Sequence, residues 1–199
     1  MKRRTSLAAV ALILLLAGCA IGKPIPEATT YAIEPPPPIP AASRRAETLR
    51  MGKVRVAPSF ADRALVVRVD EVRYAADFYN SFIAPPGDML GSMTAEWLNA
   101  AGPFATVTQP GTRTPADFVL EATVTKLYGD FRPGRTPTAV MEIQFNLVDL
   151  SGISPTVRLE QTIGRSVPLS ESTPEALVQG YGRALAEILS ELSAALNNS

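Results

Sequence analysis

Apolar and polar side chains alternate along three segments in the second half of the chain, residues 118–128, 138–150 and 157–167. In the first of them, Leu120 and Val124 fall on one face while Glu121 falls on the other. A period of two is the signature of half-buried β-strands. Glycine-containing turns separate the segments, so the sequence predicts an antiparallel meander of three strands.

Two other segments repeat their apolar residues at helical spacing. Residues 87–101 follow Pro85-Pro86 and end at Gly102-Pro103, which are typical helix boundaries. In the second segment, which begins at Thr173, that residue is a suitable N-cap, Pro174 fits the first helical position, and Glu175 lies near the positive end of the helix dipole. We expect each helix to bury one apolar stripe. The stripes are Met89, Leu90, Met93, Trp97 and Leu98 in the first helix, and Leu177, Tyr181, Leu185, Ile188, Leu189, Leu192 and Leu196 in the second.

Shorter β-like patterns precede and follow the first helix. Residues 53–56, 64–69 and 104–107 are β-branched or alternating, and residues 29–34 contain a possible short strand. Residues 71–80 favour an edge strand or an irregular segment, with Val72, Tyr74 and Phe78 facing inward. Two helices covering one face of a sheet is an economical packing. The prediction is therefore one α/β domain with a mixed, mostly antiparallel β-sheet and two amphipathic helices packed on it.

The N-terminal segment has the pattern of an export signal. Three basic residues, Lys2 to Arg4, precede an apolar run of 11 residues at 7–17. A membrane span needs about 20 residues, so this run fits a signal-peptide core. Leu16, Ala17, Gly18 and Cys19 then form a lipobox, the signal for attaching lipid to the cysteine and cleaving before it. An ordinary secretory signal with a chance cysteine is the alternative.

The predicted boundaries follow from this signal. Residues 1–18 form a lipoprotein signal peptide, residues 19–50 form the lipidated cysteine with a tether and proline-rich linker, and residues 51–199 form the folded domain. Residues 35–40 indicate a polyproline II segment, either a stiff spacer or a ligand for an aromatic groove. We interpret the charged residues 43–50 as linker or as a poor helix. A triacylated Cys19 is sufficient for stable anchoring, and Ala20, rather than Asp, after it favours the periplasmic face of the outer membrane.

Composition excludes several function classes. Removal of the signal leaves 16 basic against 19 acidic residues, with no basic stripe, which argues against nucleic-acid binding. The chain has no histidine, and Cys19 is its only cysteine. The commonest general base and zinc ligand are therefore absent, and so is an internal disulfide. We expect no enzyme activity, no metal site and no cofactor besides the covalent lipid on Cys19.

Aromatic and aliphatic residues cluster just before the first helix. One interpretation is core that covers a loop, the second is a contact surface for a partner, and the third is a lipid-binding groove. The candidate contact residues are Tyr74, Phe78, Tyr79, Phe82 and Ile83.

Four motifs follow one another along the chain. They are the lipobox, Tyr31-Ala32-Ile33, the strand pair at 54–56 and 65–68, and the stretch from Tyr79-Asn80-Ser81-Phe82 through Pro85 to Glu96-Trp97-Leu98. In this order the motifs resemble those of the ABC-type transport auxiliary lipoproteins, the PqiC-like lipoproteins associated with MCE systems. The resemblance covers most of the mature chain, and one departure is Phe82, where many members carry tryptophan.

The resemblance implies a non-enzymatic component of envelope lipid transport, anchored at the outer membrane. Its implied partners are an MCE-domain protein and an ABC permease and ATPase, and some relatives form homo-oligomeric rings. Two other hypotheses remain open at this point. One is a direct lipid-binding carrier, and the other is an assembly lipoprotein of a different envelope machine.

Overall fold

The computed structural model describes residues 27–41 and 43–199, which form one domain with an eight-stranded mixed sheet and two helices. The strands are β1 (Thr29–Tyr31), β2 (Arg45–Val56), β3 (Ala64–Arg68), β4 (Tyr74–Phe82), β5 (Phe104–Thr108), β6 (Phe118–Asp130), β7 (Thr138–Asp149) and β8 (Thr156–Pro168). Helix α1 spans Pro86–Ala101 and helix α2 spans Pro174–Asn197. The predicted fold class, the meander and both helices are confirmed.

Strand β6 organises the sheet. One of its edges pairs along its full length with β7, and β7 pairs with β8, both antiparallel. The opposite edge of β6 is shared, because β2 runs parallel to its first half and β3 runs parallel to its last two residues. The sheet therefore divides into a β2–β5 arm and a β3–β4–β1 arm.

Both helices cover the same face of the sheet. Helix α1 packs on β2 and β5, and α2 packs on β7 and β8. Two glycines let α1 approach β2 closely. A Cβ at Gly87 would lie 2.8 Å from the carbonyl oxygen of Val54, and one at Gly91 would lie 3.2 Å from the Val54 side chain. The core lies between this helix layer and the sheet, where Phe145, Leu120 and Leu189 are fully buried.

Two predictions about β2 and β4 are wrong. The charged residues 45–50 are neither linker nor helix but the first half of β2, so the predicted domain boundary at residue 51 falls inside a strand. Residues 71–80 were expected to turn Val72, Tyr74 and Phe78 inward. These side chains are instead 84%, 48% and 88% exposed. Val72 lies in the turn before β4. Tyr74 and Phe78 are exposed because β4 places its inward side chain at Phe82 and carries a large bulge before it.

The lipobox and Cys19 lie outside the described residues, and so does most of the predicted tether. In the described part of the chain, no helix is long and apolar enough to cross a bilayer.

Candidate contact surface

The five predicted contact residues on and beside β4 fall into separate environments. Phe82 is 2% exposed, and its ring centroid lies 6.1 Å from that of Tyr181 in α2. Phe82 is therefore part of the core and not available to a partner. The other four side chains are at least partly exposed, which supports a contact surface for some of them.

Tyr74 belongs to an aromatic cluster on the sheet face that the helices leave open. Its ring packs edge-on against Tyr128 of β6 at 5.3 Å and against Phe60 at 6.4 Å. The Arg68 guanidinium lies 5.8 Å from the Tyr74 centroid. Burial raises the pKa of Tyr128 above its ordinary value. These contacts within the chain account for the position of Tyr74 without a partner.

Phe78 and Tyr79 sit on a bulge that the Asp77 carboxylate builds. Between the pairs Val66–Ala76 and Ala64–Ser81, two steps along β3 face five steps along β4, so the extra residues of β4 project from the sheet. Asp77 Oδ1 accepts hydrogen bonds from the backbone N–H groups of Tyr79 at 2.9 Å and Asn80 at 3.0 Å. Asn80 Nδ2 donates to Asp77 Oδ2 at 2.9 Å. The carboxylate thus closes a tight local turn, as short polar side chains commonly do.

The bulge presents a pair of aromatic rings, Phe78 and Tyr79, which we call the aromatic knuckle. The ring centroids are 5.1 Å apart and the rings are nearly perpendicular, a favoured arrangement for two aromatic side chains. Phe78 is 88% exposed and Tyr79 is 37% exposed. The exposed ring of Phe78, held beside Tyr79, is therefore accessible to a partner or a membrane.

The knuckle adjoins the place where the N-terminal segment joins the domain. Strand β1 pairs in parallel with the end of β4, so that Thr29 lies opposite Asn80 and Tyr31 opposite Phe82. The Tyr31 hydroxyl lies 3.0 Å from Asn80 Oδ1 and donates to Glu175 Oε1 at 2.7 Å. Burial, followed by this carboxylate, raises the pKa of Tyr31 to about 12. Tyr31 therefore ties β1 and β4 to the first turn of α2.

The proline segment, residues 35–40, continues from β1 across the helix layer. It lies over Trp97 of α1, with a cavity of 330 Å³ on the side of α2 and one of 200 Å³ on the side of Glu96. Trp97 and Ser193, which line the larger cavity, are both more than nine-tenths buried. Within the described residues, Trp97 Nε1 and Ser193 Oγ have no hydrogen-bond partner. The segment thus covers the groove between the helices without filling it.

Charged groups on β6, on β7 and in the adjoining turns form ion pairs. Arg132 bridges Asp130 at 2.6 Å and Glu71 at 2.8 Å, and it lowers the pKa of Asp130. Lys126 lies 2.8 Å from Glu142 and lowers the pKa of that carboxyl. In residues 27–41 and 43–199, no group of three or more acidic, cysteine or histidine side chains is placed to hold a metal ion.

Sequence reasoning missed the bulge, although the chain carries a signal for it. Aspartate is depleted in strands, and an Asp followed by Tyr79-Asn80 at the i+2 and i+3 positions is typical of a turn that the aspartate closes. Asp77 therefore marked an interruption within residues 71–80. The prediction that Tyr74 and Phe78 face inward assumes a regular strand and leaves out this turn signal at Asp77.

Comparison with solved structures shows the same fold in distant proteins. A Xanthomonas campestris protein of the DUF330 family is 23% identical and superposes with a TM-score of 0.75, covering 85% of this chain and 95% of that one. An uncharacterised protein is 15% identical at a TM-score of 0.66, covering 85% and 99% of the two chains. Hypothetical protein CT253 from Chlamydia trachomatis is 8% identical at a TM-score of 0.55, covering 78% and 100%.

The comparison with curated proteins gives no match. A family model described as the ABC-type transport auxiliary lipoprotein component matches residues 31–193, from the end of β1 through most of α2. This match contains every strand except the first residues of β1, together with the knuckle and the proline segment. The chain therefore belongs to the ABC-type transport auxiliary lipoprotein family.

Proposed function

We propose that this protein is a periplasm-facing outer-membrane lipoprotein that acts as a docking subunit of an MCE and ABC-type lipid transport system. The observation that carries the proposal is the family match over residues 31–193, which makes the chain an auxiliary lipoprotein of an ABC-type transporter. Lipid on Cys19 fixes the chain to the membrane. The folded domain then receives the MCE-domain protein that bridges the periplasm to the permease and ATPase.

The structure supports binding rather than catalysis as the domain's role. The carboxylates of Glu142 and Asp130 have lowered pKa values because cations are paired with them. Such groups stay ionised near neutral pH and are poor proton carriers, since general acids and bases work best with a pKa near the operating pH. By contrast, exposed apolar side chains on β4 and at Ile83 are accessible for binding a partner.

Affinity purification from native membranes tests the docking role. The full-length tagged protein and its Cys19→Ser variant are expressed in a host that produces the transport operon. We expect the wild type to recover the MCE-domain protein and the permease, and to incorporate radiolabelled palmitate. The variant should lose the label. Recovery of a different envelope machine, with no transporter component, would reject the docking role in favour of another assembly function.

A direct lipid-binding role is the second candidate, and the cavity beside Trp97 favours it. At 330 Å³ this cavity lies at the lower limit of the usual range for small-molecule pockets, about 300–1,000 Å³. It suits part of one acyl chain better than a whole phospholipid. Mass spectrometry of lipids that co-purify with the signal-less Cys19→Ala protein separates the two roles, because a carrier retains lipid in a fixed ratio and a docking subunit is recovered lipid-free.

A further inference from the structure

The direction of β1 shows where the lipid-bearing end of the chain approaches the domain. Because β1 is parallel to β4 and starts opposite Asn80, the N-terminal end of β1 lies on the side of Tyr79 and Phe78. The aromatic knuckle thus stands at the same edge of the sheet as the entry of the tether.

The tether is short enough to hold this edge near a bilayer. Ten residue steps separate Cys19 from Thr29, and an extended chain of that length spans at most about 36 Å. A lipidated Cys19 in the headgroup region therefore keeps the knuckle within a few nanometres of the membrane surface, at a high effective concentration.

The knuckle has the chemistry of a membrane-interface anchor. Phe78 offers an exposed apolar ring, and Tyr79 combines an apolar ring with a polar tip, as do the aromatic side chains enriched at membrane interfaces. The Asp77 carboxylate accepts three hydrogen bonds within the bulge, so the backbone is ordered before any contact is made. Pre-ordering lowers the entropy lost on insertion.

We propose that Phe78 and Tyr79 insert into the interfacial region of the bilayer that holds the Cys19 lipid. The lipid and the knuckle then form two attachment points, which orient the domain with the β1–β4 edge of its sheet against the membrane. A weak insertion is sufficient, since the tether already supplies the second attachment. This inference rests on the proposed lipidation of Cys19.

Depth-dependent quenching of a tryptophan placed on the knuckle tests the proposal. The full lipidated protein carrying Phe78→Trp is reconstituted into vesicles of phosphatidylethanolamine and phosphatidylglycerol with brominated acyl chains. The matched control is Ile153→Trp, because Ile153 is fully exposed in the turn between β7 and β8, at the far end of the sheet. The native Trp97 is 8% exposed, and its signal is subtracted with the unmodified protein.

We expect Phe78→Trp to show a blue shift and to lose most of its added fluorescence in brominated vesicles, while Ile153→Trp keeps its fluorescence. Equal quenching at both positions would overturn the oriented docking, and so would no quenching at either position on vesicle-bound protein. Protection of Phe78→Trp only after addition of the MCE-domain protein would assign the knuckle to a protein contact and reject insertion. If the protein fails to stay on vesicles, or if Cys19→Ser stays equally well, the proposed lipidation itself is wrong.

Discussion

Replacement of Tyr181 by phenylalanine should stabilise the domain. Tyr181 lies in the N-terminal third of α2, is fully buried, and packs against Phe82. Its hydroxyl oxygen has no hydrogen-bond partner among the described residues, and burial raises the pKa of this phenol well above its ordinary value. The hydroxyl has therefore lost its hydration without gaining a bond in the protein.

The size of the effect follows from the cost of burying an unpaired polar group, about 1–3 kcal/mol. Phenylalanine keeps the ring and its packing, and it leaves only the small volume of one oxygen. Taking the lower part of that range, we expect Tyr181→Phe to raise the free energy of unfolding by about 1 kcal/mol, which for a domain of this size raises the melting temperature by about 2–4 °C.

Tyr31→Phe makes the same chemical change at a hydroxyl that is bonded. This substitution removes the 2.7 Å hydrogen bond to Glu175 Oε1, so we expect a loss of about 1 kcal/mol. Urea unfolding of the signal-less Cys19→Ser protein, followed by circular dichroism, measures both variants against the same parent. Equal slopes against urea are required for a comparison of their midpoints.

We expect the two substitutions to change the free energy of unfolding in opposite directions, with a gain in Tyr181→Phe and a loss in Tyr31→Phe. A loss of stability in Tyr181→Phe as large as that in Tyr31→Phe would show that the buried hydroxyl is bonded in solution, most simply to an internal water. That outcome would refute the inference of an unpaired group in the core.

Three further predictions concern other parts of the domain. Asp149, whose pKa is lowered to about 2 by hydrogen bonds from Ser151 and Arg158, stabilises the fold above its ordinary pKa near 4. The stability difference between wild type and Asp149→Asn, measured by thermal unfolding, should therefore be largest near neutral pH and be lost as pH falls from about 4 through about 2. In an exposed helix, a Gly→Ala substitution raises stability by about 1 kcal/mol. Gly182→Ala should instead destabilise the domain and speed amide hydrogen exchange in residues 29–38, because the new Cβ would lie 2.5 Å from the carbonyl oxygen of Glu34. In urea unfolding, Phe82→Ala should lower the free energy of unfolding by about 3–5 kcal/mol, and Phe78→Ala should lower it by less than about 0.5 kcal/mol. A large loss in Phe78→Ala would contradict the exposure of that side chain.

The elements that were predicted well from the sequence are those that bury one face and expose the other. In α2, all seven apolar residues of the predicted stripe are buried, because one side of the helix packs on β7 and β8. In β7, every second residue from Ala139 to Leu147 is buried for the same reason. Local periodicity reports such one-sided burial directly.

The first half of β2 escaped prediction because its stabilising contacts are distant in sequence. Residues 45–48 carry charges, which suggested a linker. In the structure the Arg45 guanidinium lies 4.4 Å from the centroid of Phe104 and donates to backbone carbonyls at the end of α2. Strand pairing with β5 and β6 on both sides supplies the rest. None of these partners is visible in a local pattern.

The bulge on β4 was missed for a different reason. A period-two pattern assumes an uninterrupted ladder, and a bulge shifts which side chains face inward. The inward assignment of Tyr74 and Phe78 treated the segment as regular, whereas Asp77 breaks the register between them and Phe82. The division of the five candidate contact residues into buried and exposed members therefore required the fold.

The N-terminal segment is joined to the core of the domain. The Tyr31 hydroxyl is hydrogen-bonded to Glu175 in α2, and Ile33 is fully buried, so core packing holds this segment in addition to the three residue pairs of β1. The segment that sequence analysis treated as a tether thus belongs, from about residue 29, to the folded unit. A protein shortened to begin at residue 51 would lose β1, the buried Ile33 and the half of β2 that pairs with β5, and we expect it not to fold. A protein that begins at Glu27 keeps all three, and cooperative unfolding of it alone would show that the structural role of the N-terminal segment begins there.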